Sequence, residues 1–240
     1  MAYGPFNRIA TPGRAIDQAQ YDEGLRQHML RVYNYMTTGL VLTGLVAFLT
    51  ASSPAMMQVI FGTPLKWVVM LAPLGFVFFL SARIHALSAS TAQMVFFAYS
   101  AVMGLSLAAI FLVFTGASIA QVFFITAGMF AGTSLWGYTT KRDMSRMGGF
   151  LFMGLIGIII ATIVNIFLAS SALHFAISVI GVLVFTGLTA YDTQRIKETY
   201  DEGWGTESNN KLAVMGALSL YLDFINMFTF MLQLFGQNRE

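Results

Sequence analysis

Cysteine is absent from all 240 residues, which excludes disulfides, thiolate metal sites and cysteine nucleophiles. Charge is nearly as scarce: Asp, Glu, Lys and Arg make up 10% of the chain, against roughly 25% in a soluble domain. A formal net charge of +2, with the basic residues scattered through short segments, does not make the basic stripe a nucleic-acid binder needs. Nucleic acid is therefore excluded as a partner. The three histidines, His28, His85 and His174, have no metal-ligand spacing among them. No resident cofactor is expected, and the many Met and Phe residues read as core and lipid-facing material. The first 31 residues are polar with no apolar stretch, so they are not a secretory signal peptide.

What the chain has in their place is hydrocarbon. Residues 84 to 140 and 147 to 191 contain no Asp, Glu, Lys or Arg, and each run is about twice the ~20 residues that cross a bilayer core. Cutting the apolar runs at polar or small-residue breaks predicts spans over Val32–Ser52, Leu65–His85, Ala92–Phe114, Ile119–Tyr138, Gly148–Leu168, Leu173–Thr199 and Leu212–Phe235. The expected fold is all-α: a polytopic membrane protein of seven transmembrane helices over residues 32–240, preceded by a polar arm over 1–31. The connections are short, except for Tyr200–Asn210 between the last two spans, so consecutive helices should be antiparallel neighbours. Gly128-Met-Phe-Ala-Gly132 has the small-residue spacing of close helix packing.

Basic residues in short loops resist translocation and mark the cytoplasmic side. One side holds Arg8, Arg14, Arg26, Arg31, Arg83, Lys141, Arg142, Arg146, Arg195, Lys197 and Lys211; the other holds Lys66 and Arg239. This asymmetry places the N-terminal arm in the cytoplasm and, with seven spans, the C-terminus outside. A re-entrant last segment returning to the cytoplasm is the alternative.

Asp223 has no charged residue for eleven positions before it and fifteen after it. An ionisable side chain inside an apolar span is costly, and by default marks a functional site. Asp192 lies on the preceding helix. If the turn of this hairpin centres near Gly205, the depths of the two carboxylates differ by about 7 Å at 1.5 Å per residue, which helix tilt can absorb. The two can then meet and titrate as a pair. Asp192 has a plainer reading, snorkelling to the interface or pairing with Arg195. Asn226, three residues after Asp223, shares its face and can hydrogen-bond to the pair or serve as helix-packing glue. Arg83, near the cytoplasmic end of the second span, can latch onto one carboxylate or snorkel. Asn165 and Gln121 are lone polar residues in apolar spans, where interhelical hydrogen bonds are the ordinary use.

Three segments carry a family resemblance: Thr139-Thr-Lys-Arg-Asp143, Gly187-Leu-Thr-Ala-Tyr-Asp-Thr-Gln194 and Leu220-Tyr-Leu-Asp-Phe-Ile-Asn226. Over about residues 25–236 the chain resembles the transmembrane Bax inhibitor motif family in its bacterial branch. The resemblance implies a seven-helix bundle with the last helix central, in the bacterial inner membrane, acting as a pH-sensitive calcium leak channel. It further implies that Asp192 and Asp223 match the paired aspartates that sense pH and calcium, and that Arg83 matches an arginine latch. An acid that some members carry about three turns earlier on the second helix has no counterpart in Met70–Phe76.

A leak is physically coherent, because Ca²⁺ takes six to eight oxygen ligands and two carboxylates make only a weak metal site, which a permeant ion can leave. Calcium is then cargo, the bilayer is the standing partner, and no enzyme activity is expected. Two rivals belong to other classes. A regulatory membrane protein would act through a protein partner at the arm Met1–Arg31 without flux. An intramembrane aspartyl protease would use the two aspartates on water, but such enzymes resemble one another in Gly-x-Gly-Asp, and the residues before Asp223 are Leu220-Tyr221-Leu222. The basic asymmetry makes a direct prediction: reporters placed after Arg14 and within Lys141–Arg146 read cytoplasmic, and one after Glu240 reads external. A cytoplasmic reading at Glu240 would replace the spanning last segment with a re-entrant one.

Overall fold

Apolar side chains all round a helix leave it stable only in lipid or inside protein, and the structure sorts its helices between these two places. The computed structural model describes residues 12–239, with side chains from residue 20 onward. Residues 1–11 of the expected arm, Arg8 among them, lie outside the described residues. The described helices are α1 (Pro12–Ala51), α2 (Pro54–Phe61), α3 (Leu65–Arg83), α4 (Ala89–Leu107), α5 (Ile110–Val113), α6 (Gly116–Thr139), α7 (Ser145–Leu168), α8 (Ser171–Thr199) and α9 (Gly205–Phe235), with a 3₁₀ turn at Glu202–Trp204. Seven helical stretches, with α4 and α5 counted as one, are long and apolar enough to cross a bilayer. The protein is an all-α polytopic membrane protein, as expected.

α9 is the axis. It packs against α8, α1, α6 and α4, and 67% of its most apolar window is buried, against 11% for α7. α7 instead presents Phe150, Ile166 and Phe167 outward, where lipid takes the place of protein. Small residues bring the inner helices together. A Cβ on Gly39 would stand 2.8 Å from Ser100 Oγ, and one on Gly104 2.6 Å from the Thr43 carbonyl, so α1 and α4 approach backbone to backbone. Gly137 is similarly closed by the Ala190 carbonyl between α6 and α8, and Gly181 by the Phe230 ring between α8 and α9. Gly128 and Gly132 are different: nothing lies within 4 Å of where their side chains would begin. The small-residue spacing read there as a packing motif is not used for packing.

Three boundaries differ from the sequence-based ones. The polar arm is not a separate element from residue 12 on; it continues into the first span as one helix. Leu25, His28, Met29, Val32 and Met36 repeat at helical spacing and are all buried, so the inner face continues past the last charged residue. The outer connection after α1 contains α2, whose first turn is capped by Ser53, its hydroxyl accepting from Met56 N at 3.4 Å. The expected sixth loop is mostly helix, because the reversal is confined to the residues around Gly205, which has φ +75° and tolerates it without a Cβ clash.

The spanning helices alternate, so Arg83, the α6–α7 connection and the α8–α9 connection share one end of the bundle, the basic end. The opposite end holds α2, the α5–α6 connection and the tail after α9. That tail pairs with the α5–α6 connection: Thr115 N donates to Gln237 O at 3.0 Å and Arg239 N to Val113 O at 2.8 Å. α9 thus runs from end to end of the bundle rather than re-entering. At the basic end Gln194 holds the α6–α7 connection, accepting from Met144 N at 2.9 Å and donating to Arg142 O at 2.8 Å. Asp143 accepts from Ser145 N at 2.8 Å, and its hydrogen bonds with Ser145 hold the carboxyl below the usual carboxylate range. The first of the three resembling segments therefore ends in an Asx turn just before α7. Glycine contacts supply a stability test. Gly104→Ala should destabilise by ~1–3 kcal/mol and Gly128→Ala by less than ~0.5 kcal/mol, read as melting temperature in detergent. Equal effects would contradict the α1–α4 contact.

Candidate functional site

Tyr221 locks α9 in rotation. Its ring is fully buried, edge-on to Phe96 and Tyr99 at 5.8 and 5.3 Å between centroids. Thr43 gives its one hydroxyl proton to the Ser100 carbonyl at 2.8 Å, so in the 2.6 Å contact between the hydroxyls Tyr221 is the donor. Two residues on, this fixed helix carries Asp223 into the bundle. Asp223 is 4% exposed, and its Oδ2 has no hydrogen-bond partner. Ser219, one turn before Asp223 on α9, and Asp192 of α8 line the same cavity.

Asp192 is half-buried. Beside it Thr193 donates to the Thr189 carbonyl at 2.7 Å. Ser134 must then donate to Thr193 across 2.9 Å, and Tyr33 to Ser134 across 2.6 Å. This hydroxyl chain ties α1, α6 and α8 together next to the carboxylate. On the other flank Tyr191 packs where a side chain on Gly148 would be, 2.5 Å from the ring carbon Cζ. Arg195, one turn further along α8, is exposed, and it makes no ion pair with Asp192 among the described residues. Asp192 also lines a cavity of about 110 Å³ at the basic end, with His28, Arg195, Thr199, and Leu212, Met215, Gly216 and Ser219 of α9 among its walls.

The structure thus places Asp192 and Asp223 on the adjacent helices α8 and α9, with no hydrogen bond between them among the described residues. It does not bring Arg83 to them. Arg83 is exposed at the last turn of α3, a helix packed mainly on α4 and α2, and no latch forms in this conformation. Asn226 does not reach the pair either; its Nδ2 donates to the Leu222 carbonyl of its own helix at 2.8 Å. Asn165 accepts from Ser170 N at 3.1 Å and closes the end of α7. Among the described residues no cluster of three or more His, Asp or Glu is placed to hold a metal ion. Two residues of the site went unread in the sequence, His28 and Ser219. The signal for His28 was its place in the 25, 28, 29, 32 periodicity; Ser219 stands one turn before Asp223, but a single serine in an apolar helix carries no signal of its own.

A bundle of seven spanning helices around a buried acid is an integral membrane protein of a defined kind. The chain belongs to the family described as inhibitor of apoptosis-promoting Bax1, whose model matches residues 25–240. It is 49% identical to inner membrane protein YbhL of Escherichia coli over 90% of this chain and 94% of the relative. An uncharacterised protein of Rickettsia prowazekii is 46% identical over 92% and 93% of the two chains. One of Caulobacter vibrioides is 45% identical over 98% and 99%.

A buried carboxyl with a free oxygen is a stability cost retained for another reason. Asp223→Leu should accordingly raise the melting temperature in detergent, by the equivalent of about 1 kcal/mol or more. A lower melting temperature would mean that Asp223 is a structural residue.

Proposed function

We propose that the protein is a pH-sensitive cation leak of the membrane, with calcium as its cargo and the Asp192–Asp223 pair as both sensor and weak ion site. The observation that carries this reading is Asp223 itself: a carboxyl on the most enclosed helix, with an unsatisfied oxygen, one turn from a cavity that a second carboxylate, Asp192, borders. Two interacting acids titrate as a unit, so the charge offered to a cation depends on pH through both. Two carboxylates fall short of a full calcium shell, and carbonyls and water would complete it, which suits an ion in transit. The basic end is assigned to the cytoplasm by its Lys and Arg residues, and the membrane is assigned as the bacterial inner membrane by similarity to the Escherichia coli relative.

A non-enzymatic role is supported by the surroundings of Asp223. Leu220 and Tyr221 are fully buried, and Tyr221 is hydrogen-bonded to Thr43, so these positions are filled where a membrane protease places small residues for its substrate. Regulation through a partner at the arm differs from the leak in requiring no flux.

The test is calcium flux into liposomes across a pH series. Wild type should respond to pH, by roughly tenfold per unit at most for one titrating proton. Asp192→Asn and Asp223→Asn should each flatten that response, and the double variant should add little, as for residues acting as one unit. An unchanged profile in both folded single variants removes the pair as sensor. No flux above empty liposomes in any form moves the function to partner binding.

A further inference from the structure

Three polar groups around the cavity at the basic end have no hydrogen-bond partner among the described residues. The cavity lies where α1, α8 and α9 meet, and His28, Asp192 and Ser219 all line it. His28 is 4% exposed and its Nδ1 is unpartnered. Among the described residues the Asp192 carboxylate and the Ser219 hydroxyl make no hydrogen bond either. Thr199, also on the wall, is satisfied by the Arg195 carbonyl at 2.7 Å. Buried polar atoms are almost always bonded to protein or to water, and a polar cavity of about 110 Å³ has room for several water molecules.

We propose that this cavity is a water-filled chamber that opens the aspartate pair to the basic face, with His28 of α1 as a structural wall that also orders its water. Its contents are water and small hydrated cations, since a carboxylate, a hydroxyl and an imidazole nitrogen can all accept hydrogen bonds from a hydration shell. The exposed Arg195 sets a positive charge beside them, so a cation finds no deep trap. Ser219 lies one turn, about 6 Å, before Asp223 along α9, so water at Ser219 is within a turn of the unpartnered Asp223 Oδ2. His28 lies against Tyr200, with ring centroids 5.3 Å apart and planes inclined by 39°. Gly24 leaves the space that the Tyr200 hydroxyl occupies. The aromatic pair ties α1 to the end of α8 beside the chamber. As a passage for cations the chamber rests on the leak reading; as an aqueous space it does not.

The absence of cysteine makes the test direct, because a single introduced thiol is the only reactive one. Ser219→Cys should react with a charged, membrane-impermeant thiosulfonate added on the basic face at a rate within roughly tenfold of the exposed control Ser145→Cys, and Thr229→Cys, nearly three turns deeper on α9, at least about 100-fold more slowly. Adding His28→Phe, which fills the wall and removes the nitrogen, should slow Ser219→Cys by about tenfold or more, whereas His28→Ala should leave it as fast or faster. The chamber is overturned if Ser219→Cys reacts as slowly as Thr229→Cys, or if His28→Phe has no effect, in protein that matches wild type on size exclusion. Labelling reads water, not flux, so loss of the leak reading with labelling intact would leave the chamber standing.

Discussion

Everything in this bundle follows from the cost of putting a carboxyl group at membrane depth. Hydrocarbon offers no hydrogen bonds and no dielectric screening, so Asp223 has to be enclosed by protein. Enclosure of one residue requires enclosure of its helix. α9 is accordingly wrapped by α1, α4, α6 and α8, while α3 and α7 form an outer layer whose apolar faces belong to lipid. The order of the helices in space is the order of their need for protein contact.

Wrapping in a membrane cannot rely on the hydrophobic effect, since lipid tails are as apolar as leucine. Close approach does that work here. Gly39, Gly104, Gly137 and Gly181 each place a neighbouring atom where a side chain would be. The hydroxyls complement them. Ser100, Thr126, Thr189, Thr193 and Thr229 each donate to the carbonyl four residues back, which satisfies a polar group inside its own helix. Ser134 and Tyr221 each join helices near an aspartate. Other inter-helix polar bonds lie further off, such as that from Ser178 to Gln233 at 2.9 Å between α8 and α9.

The seven spans were legible because length and hydropathy are written along the chain, whereas the central place of the last one was implied by the family resemblance. The extended α1 was harder to read. Its polar residues interrupt the hydropathy signal, yet Leu25, Met29 and Val32 maintain the inner face, so helical periodicity held information that composition hid. Gly128 and Gly132 failed in the opposite way: the spacing is right, but rotation about the α6 axis turns both glycines outward, and rotation cannot be read from spacing. Arg83 was placed correctly at the end of its span. Its distance from the aspartates depends on how α3 sits outside α4, which no local pattern records. His28 and Ser219 gain meaning only from α1 crossing to meet α8 and α9.

The tail after α9 also determines how the bundle can move. Main-chain hydrogen bonds from Thr115 to Gln237 and from Arg239 to Val113 fasten one end of α9. At the other end Asn209 donates to the Asp201 carbonyl at 2.9 Å, Glu207 accepts from Ala89 N at 2.7 Å, and Arg31 reaches Asn210. A helix fastened at both ends cannot slide along its axis, and the Tyr221–Thr43 contact opposes its rotation. α9 is therefore an axle. Any motion that opens the enclosure of Asp223 must come from the surrounding helices swinging about a fixed shaft, and the acid stays at constant depth while its enclosure changes.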